Sequence, residues 1–137
     1  MQGNSEPNCR HLEQRILQRV GNLYCEQLGH CPGQVSCKLA EQTLTIVVEN
    51  SITKPEQLLI SNGQQELAER VRANIHQATQ AHFKALIEEV IAVPVIDLFS
   101  STKFATGRTS TIAVLANQPE VDKLASMSKA KEEKNQD

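Results

Sequence analysis

The chain has 137 residues, a net charge of −2, one Tyr, three Phe and no Trp. That length allows one domain with a real core, which must be built from Leu, Ile, Val and Ala. Acidic and basic residues are interspersed, which gives no field to attract nucleic acid or an anionic membrane, and no apolar run approaches the roughly 20 residues that span a bilayer.

Residues 1–8 read as a polar, frayed end. They lack the basic and apolar regions of a secretory signal, so a cytoplasmic location is expected. From Cys9 to Leu28, apolar residues at Leu12, Ile16, Val20, Leu23 and Leu28 recur at helical spacing. Gly21 inside this helix costs about 1 kcal/mol relative to Ala, which suggests close approach of a neighbouring element. Gly29 supplies the left-handed residue that ends a helix, and Pro32-Gly33 turns the chain.

Cys9, Cys25, Cys31 and Cys37 are separated by fifteen, five and five residues. Zinc sites use closer pairs, and His30 is the only suggestive neighbour, so no metal is expected. In a cytosolic protein all four cysteines read as reduced thiols that simply pack.

Residues 34–40 alternate, with Val35, Cys37 and Leu39 on one face. Residues 43–50 do the same with Leu44, Ile46 and Val48, so the two form a hairpin turning at Glu41-Gln42. Next, Thr53-Lys54-Pro55-Glu56 has the spacing of a capping box, with Pro55 in the first turn where a missing N–H costs nothing. The short helix it starts runs through Leu58, Leu59 and Ile60 and breaks at Ser61-Asn62-Gly63. Asn62 then caps a helix of roughly seven to eight turns, since no Pro or Gly interrupts residues 64–92. Its apolar stripe is expected at Leu67, Val71, Ile75 and Ala78, continuing to Leu86, Ile87, Val90 and Ile91. Glu66 and Glu69 lie in helical reach of Arg70 and Arg72, so these charges read as a solvated face.

A third strand is predicted over 94–100 and a fourth over 109–116, joined by residues 101–108. Alternation points Ile96 and Leu98 one way, and Val95 and Phe99 the other with Asp97 between them. A four-stranded sheet with helices on one side leaves its other face wet. Phe99, with Phe104 in the following loop, is then expected in an exposed apolar patch edged by Asp97, Lys103 and Arg108. If the tail or the first helix covers that face, Phe99 is ordinary core. Residues 118–137 are charged and read as a largely disordered tail, with room for a helical turn or two over Glu120–Met127.

The expected fold is therefore α+β, a single domain over 9–117. It has two layers, with two hairpins making a mainly antiparallel four-stranded sheet and the helices on one face. No nucleophile–base signature, phosphate loop or metal motif is present, and His76 and His82 are six apart on the long helix and off one face. No enzymatic activity and no cofactor are expected. Two functions fit: a regulatory or adaptor domain acting through contact with a protein partner, or a small-ligand domain with an apolar pocket near Phe99 and Phe104. The second would draw polar groups from Asp97, Thr53 or Arg108. A nucleic-acid module lacks both the basic stripe and the stacking aromatics. Oligomeric state is not legible.

The pattern Leu12…Leu28-Gly29-x-x-Pro32, then Ile52-Thr53-x-x-Glu56-x-x-Leu59, then a helix with Arg72 and a strand into Val114-Leu115, resembles the MpsC-like domain. The resemblance covers roughly residues 9–117, and Thr-x-x-Glu-x-x-Leu is its most specific part. It implies a bacterial accessory component of a sodium-translocating, membrane-potential-generating system. The chain is also similar to a member associated with control of biofilm formation. It departs from the family in having Gly29-His30-Cys31-Pro32 where Gly-x-Gly-Pro is common, and Ala92 where Gly is usual.

Overall fold

A computed structural model of the chain describes residues 7–119. The elements follow in the order α1 (Pro7–Gln27), β1 (Val35–Ala40), β2 (Thr43–Val48), α2 (Lys54–Ser61), α3 (Gln65–Ile91), β3 (Val95–Lys103) and β4 (Arg108–Leu115). Every element expected within these residues is present, and the fold is α+β. Most of the expected frayed end, the reading of a tail beyond 119, and the helical turns over Glu120–Met127 lie outside the described residues.

All strand pairs are antiparallel, in the order β1-β2-β4-β3. The second hairpin thus lies beside the first through β4, and β3 is left at an edge. Alternation along β2 and β4 sends Leu44, Ile46, Val48, Ala113 and Leu115 into the core, beneath Leu12, Ile16 and Val20 of α1 and Phe83, Leu86, Ile87, Val90 and Ile91 of α3. Glu13 of α1 accepts a hydrogen bond from the Leu39 N–H at 2.7 Å, which fastens that helix to β1.

Four expectations about these elements are corrected. A β-bulge between Val95 and Asp97 inserts an extra residue into β3, and a bulge reverses the alternation beyond it. Val95 is therefore buried and Leu98 half-buried on the helix side, whereas Ile96 and Phe99 are exposed. In α3, Leu67 and Ala78 are exposed, and the buried stripe runs instead through Ala68, Arg72, Thr79 and Phe83. Apolar spacing was misleading there because two of the inward residues are polar. Finally, a Cβ built at Gly21 meets nothing within 4 Å, so no close neighbour explains that glycine. The start of α3 also differs: Gln64 holds the cap position, and Asn62 instead closes α2.

The four thiols are not all reduced. Gly29, at φ 62°, ends α1 by turning the chain back, and both the Leu28 and His30 N–H groups donate to the Tyr24 carbonyl. This turn brings Cys25 and Cys31 to a Cα separation of 4.4 Å, and the two form a disulfide. Cys37 is a free, half-buried cysteine, and Cys9 is half-buried against the core. Burial, with Glu13 adding its charge, pushes the Cys37 thiol up to about 12.

Candidate functional site

Five elements send polar side chains into one buried cluster on the helix side of the sheet. Its centre is Glu56, at the third position of α2 and fully buried. Arg72, about two turns into α3, lies against it: Nε donates to Glu56 Oε2 at 2.7 Å, and Nη2 donates to Glu56 Oε1 at 2.6 Å. This fork-on-fork geometry is the strong form of an ion pair. Arg72 Nη2 also donates to the Ser51 carbonyl at 2.8 Å. The expectation that Arg72 lies on a solvated face, partnered by Glu69, fails because Glu56 is delivered from the preceding helix.

Thr53 closes the carboxylate from the other side. A capping box joins it to Glu56, with the Thr53 N–H donating to Glu56 Oε1 at 3.0 Å. The Thr53 hydroxyl donates to the same oxygen at 2.7 Å. Thr53 is thus more than a helix cap, since it also satisfies a buried charge. Leu59, further along α2, is half-buried and touches none of this polar centre through a hydrogen bond.

From Ser51 the network continues into the sheet. Ser51 Oγ and Thr109 Oγ1 are 2.7 Å apart, Thr109 and Thr102 hydroxyls 2.6 Å apart, and Thr102 Oγ1 meets His76 Nε2 at 3.1 Å. His76 is half-buried, and desolvation, reinforced by the positive charge of Arg72 and opposed by Glu56, lowers its pKa from the ordinary 6.5. Tyr24 enters from α1. Burial raises its pKa, while the Arg72 charge and hydrogen bonds to Thr109 and Arg72 pull it back. Its approach does not satisfy Arg72 Nη1, which is buried and makes no hydrogen bond of ordinary geometry among the described residues. The His76–Thr102 contact has no carboxylate on the second ring nitrogen among the described residues, the third member that a nucleophile–base relay uses to orient its histidine.

The opposite face of the sheet is built differently. Register places Lys38, Thr45, Ile112 and Phe99 in one row across the four strands. Phe99 is 58% exposed, Ile96 60% and Ile112 38%. Asp97 lies one row away, opposite Val114, and Lys103 is paired with Arg108 at the far end of the hairpin. Phe99 and Lys103 are four positions apart along the strand, about 13 Å. Arg108 is committed to Glu49 through Nε, at 3.0 and 2.9 Å from the two carboxylate oxygens. Phe104 sits half-buried in the turn after β3, beyond the row that holds Phe99. The five predicted surface residues therefore share one hairpin, with Asp97 near its open end, Phe99 in its middle and the other three at its tip.

Among the described residues, Asp97, Thr53 and Arg108 do not converge on one pocket near the third strand. Thr53 is buried behind the sheet, and the two charged residues project from its other side. A cleft of about 200 Å³ does open between α3 and β3, but its lining is His76, Gln77, Gln80, Leu98 and Ser100. Among the described residues, no group of three or more His, Cys, Asp and Glu is placed to hold a metal ion.

The family described as Na+-translocating membrane potential-generating system (MpsC) matches residues 8–117. The chain belongs to the MpsC family. No curated protein and no solved structure matches it. The matched span of this MpsC domain takes in the whole sheet and all three helices. Thr53, Glu56 and Arg72, three of the residues that carried the resemblance, are the three that meet in the buried cluster. Gly29 lies within the loop that the Cys25–Cys31 disulfide closes, and Pro32 follows directly after it. That loop is fixed to the entry of the cluster, because His30 Nε2 donates to the Asn50 carbonyl at 2.8 Å, one residue before Ser51. Spacing alone could mark Thr53 and Glu56 as a cap. Nothing in it signalled that Arg72 closes on them from sixteen residues away, or that Tyr24, Ser51, His76 and Thr109 join.

Proposed function

We propose that this MpsC domain is a non-enzymatic regulatory or adaptor domain, which meets a membrane-potential-generating system through protein contact. The setting comes from the family to which the chain belongs. The observation that carries the mode of action is the outer sheet face, where Phe99, Ile96 and Ile112 form an uncovered apolar surface flanked by Asp97 and Lys38. Monomeric surfaces rarely leave large apolar side chains clustered unless something binds them, and a central aromatic often dominates such a contact. The buried cluster supports the reading as a scaffold: its charges are spent on one another, holding α2 and α3 to the sheet. Among the described residues no helix is long and apolar enough to cross a membrane.

The test is co-purification with the membrane subunits of the sodium-translocating system, using the intact chain and Phe99→Ser/Ile112→Ser. Loss of co-purification, with the urea midpoint nearly unchanged, is the expected outcome. Equal recovery with both chains would overturn the reading. A small ligand in the cleft beside β3 is the weaker alternative, since His76, Gln77, Gln80 and Ser100 make that cleft mainly polar.

A further inference from the structure

The two edges of the sheet are guarded unequally. On β1 the Leu39 N–H is taken by Glu13 from α1. On β3 only the first residue is treated this way, Val95 N–H donating to Glu88 Oε2 at 2.8 Å. Among the described residues no side chain bonds the backbone from Asp97 to Thr102. Ser100 points to the helix side, where its hydroxyl meets Thr111 at 2.9 Å, and yet it is exposed. The cleft lined by His76, Gln77, Gln80, Leu98 and Ser100 opens along this edge, so α3 stops short of it. The Lys103 carbonyl is turned toward β4, where it accepts from the Gly107 N–H. Backbone groups alternate in direction along a strand, so those of Ser100, three residues earlier, point away from β4. An edge of seven residues, 97–103, is thereby available for pairing, and such edges are otherwise covered, charged alike or broken.

The sequence of that edge is self-complementary in charge. Asp97, Phe99, Ser101 and Lys103 all point to the outer face, as their partners Val114, Ile112, Ser110 and Arg108 do. If a second β3 lies antiparallel with Ser100 opposite Ser100, Asp97 of each chain falls opposite Lys103 of the other. Phe99 falls opposite Ser101, and the two Phe99 rings become diagonal neighbours across the axis, within reach of one another. A slide of one residue would set inward side chains against outward ones. A slide of two residues one way opposes Asp97 to Ser101, and the other way moves it past the strand end to Ala105, so both ion pairs are lost. Only the centred register matches pleat and charge together. The bulge at Val95–Asp97 ends the pairing on one side and the turn after Lys103 on the other.

We propose that β3 is a homodimer interface, in which two chains pair edge to edge about Ser100 to form a continuous eight-stranded sheet held in register by two Asp97–Lys103 ion pairs. The partner is a second copy of this chain, so the inference does not rest on the adaptor reading and the two can fail separately. Sedimentation equilibrium of the full chain is the test. A dimer is expected, Asp97→Lys should weaken it roughly tenfold by setting like charges opposite one another twice, and Asp97→Lys/Lys103→Asp should restore it. Ser100→Pro, which removes an edge N–H, should give a monomer, with far-UV circular dichroism to verify its fold. A wild-type chain that stays monomeric at millimolar concentration overturns the proposal. So does a dimer whose strength ignores the charge reversal or is not recovered by the double exchange.

Discussion

Arg72 and Glu56, sixteen residues apart, share two hydrogen bonds in a site where their side chains are 4% and 0% exposed. Desolvation of such a pair offsets most of its Coulombic gain, so its value lies in what happens when one member is missing. Glu56→Leu strands a buried guanidinium, and Arg72→Met strands a buried carboxylate with only Thr53 to bond it. Each should destabilise by about 3–5 kcal/mol. The double replacement should cost far less than the sum, because neither charge is then left alone. Urea unfolding of the four proteins measures this. Additive losses would mean that the two residues act independently.

His76 gives the domain a pH dependence with a definite sign. Its pKa is lowered on folding from 6.5, first by desolvation and then by Arg72, so the unfolded chain binds the proton more readily than the folded one. The stability that neutral His76 contributes is complete above about pH 6.5 and is lost as pH falls from there through the lowered folded value. His76→Gln, which can still bond Thr102, should flatten the slope of stability against pH over that interval. An unchanged slope between the two proteins would place the titration elsewhere.

The cluster shows why some of this was legible in the sequence and some not. Element types followed from local signals: the capping box at Thr53, Gly29 after α1, alternation in the strands. The fold class and hairpins follow from those signals. Those signals leave Phe99 open between an exposed patch and covered core, and simple alternation wrongly sets it on the same face as Val95. The bulge responsible leaves no mark in apolar spacing, because it depends on how β3 meets β4 at Leu115. The inward placement of Arg72 is likewise invisible to periodicity, since charge at a helical position reads as solvated until a carboxylate from another element is found facing it. The Cys25–Cys31 bridge depended on the reversal at Gly29, whereas redox compartment argued for thiols.

The cysteines should separate cleanly by reactivity. Cys37 is held as a neutral thiol, its pKa raised to about 12 by burial and by Glu13, and the thiolate is the species that alkylates. In native protein at pH 8, iodoacetamide should leave Cys37 unmodified. Cys25 and Cys31 should become reactive only after reduction, with the exposed Cys31 labelled ahead of the half-buried Cys25. Because the folded pKa of Cys37 lies above its ordinary 9.0, its contribution to stability is complete below pH 9 and declines as pH rises toward 12. Peptide mapping by mass spectrometry reads the labels. Rapid labelling of Cys37 in folded protein would contradict its burial.

Two opposite glycine exchanges should both stabilise the domain. Ala92 caps α3 at φ 64° and ψ 32°, with its N–H donating to the Glu88 carbonyl, and the left-handed region costs an L-residue about 1–2 kcal/mol. Ala92→Gly removes that strain but frees the unfolded chain, which takes back about 0.4–1 kcal/mol. The net gain should be roughly 0.5–1 kcal/mol. Gly21 lies inside α1 with open space where a Cβ would stand, so Gly21→Ala should gain about 1 kcal/mol from helix propensity. The sites are in different helices, and the gains should add. Thermal melts of the wild type, both single variants and the double variant test this. A loss on Ala92→Gly would show that the Ala92 methyl group makes contacts worth more than the strain it imposes. A loss on Gly21→Ala would show that α1 needs its flexibility at that turn.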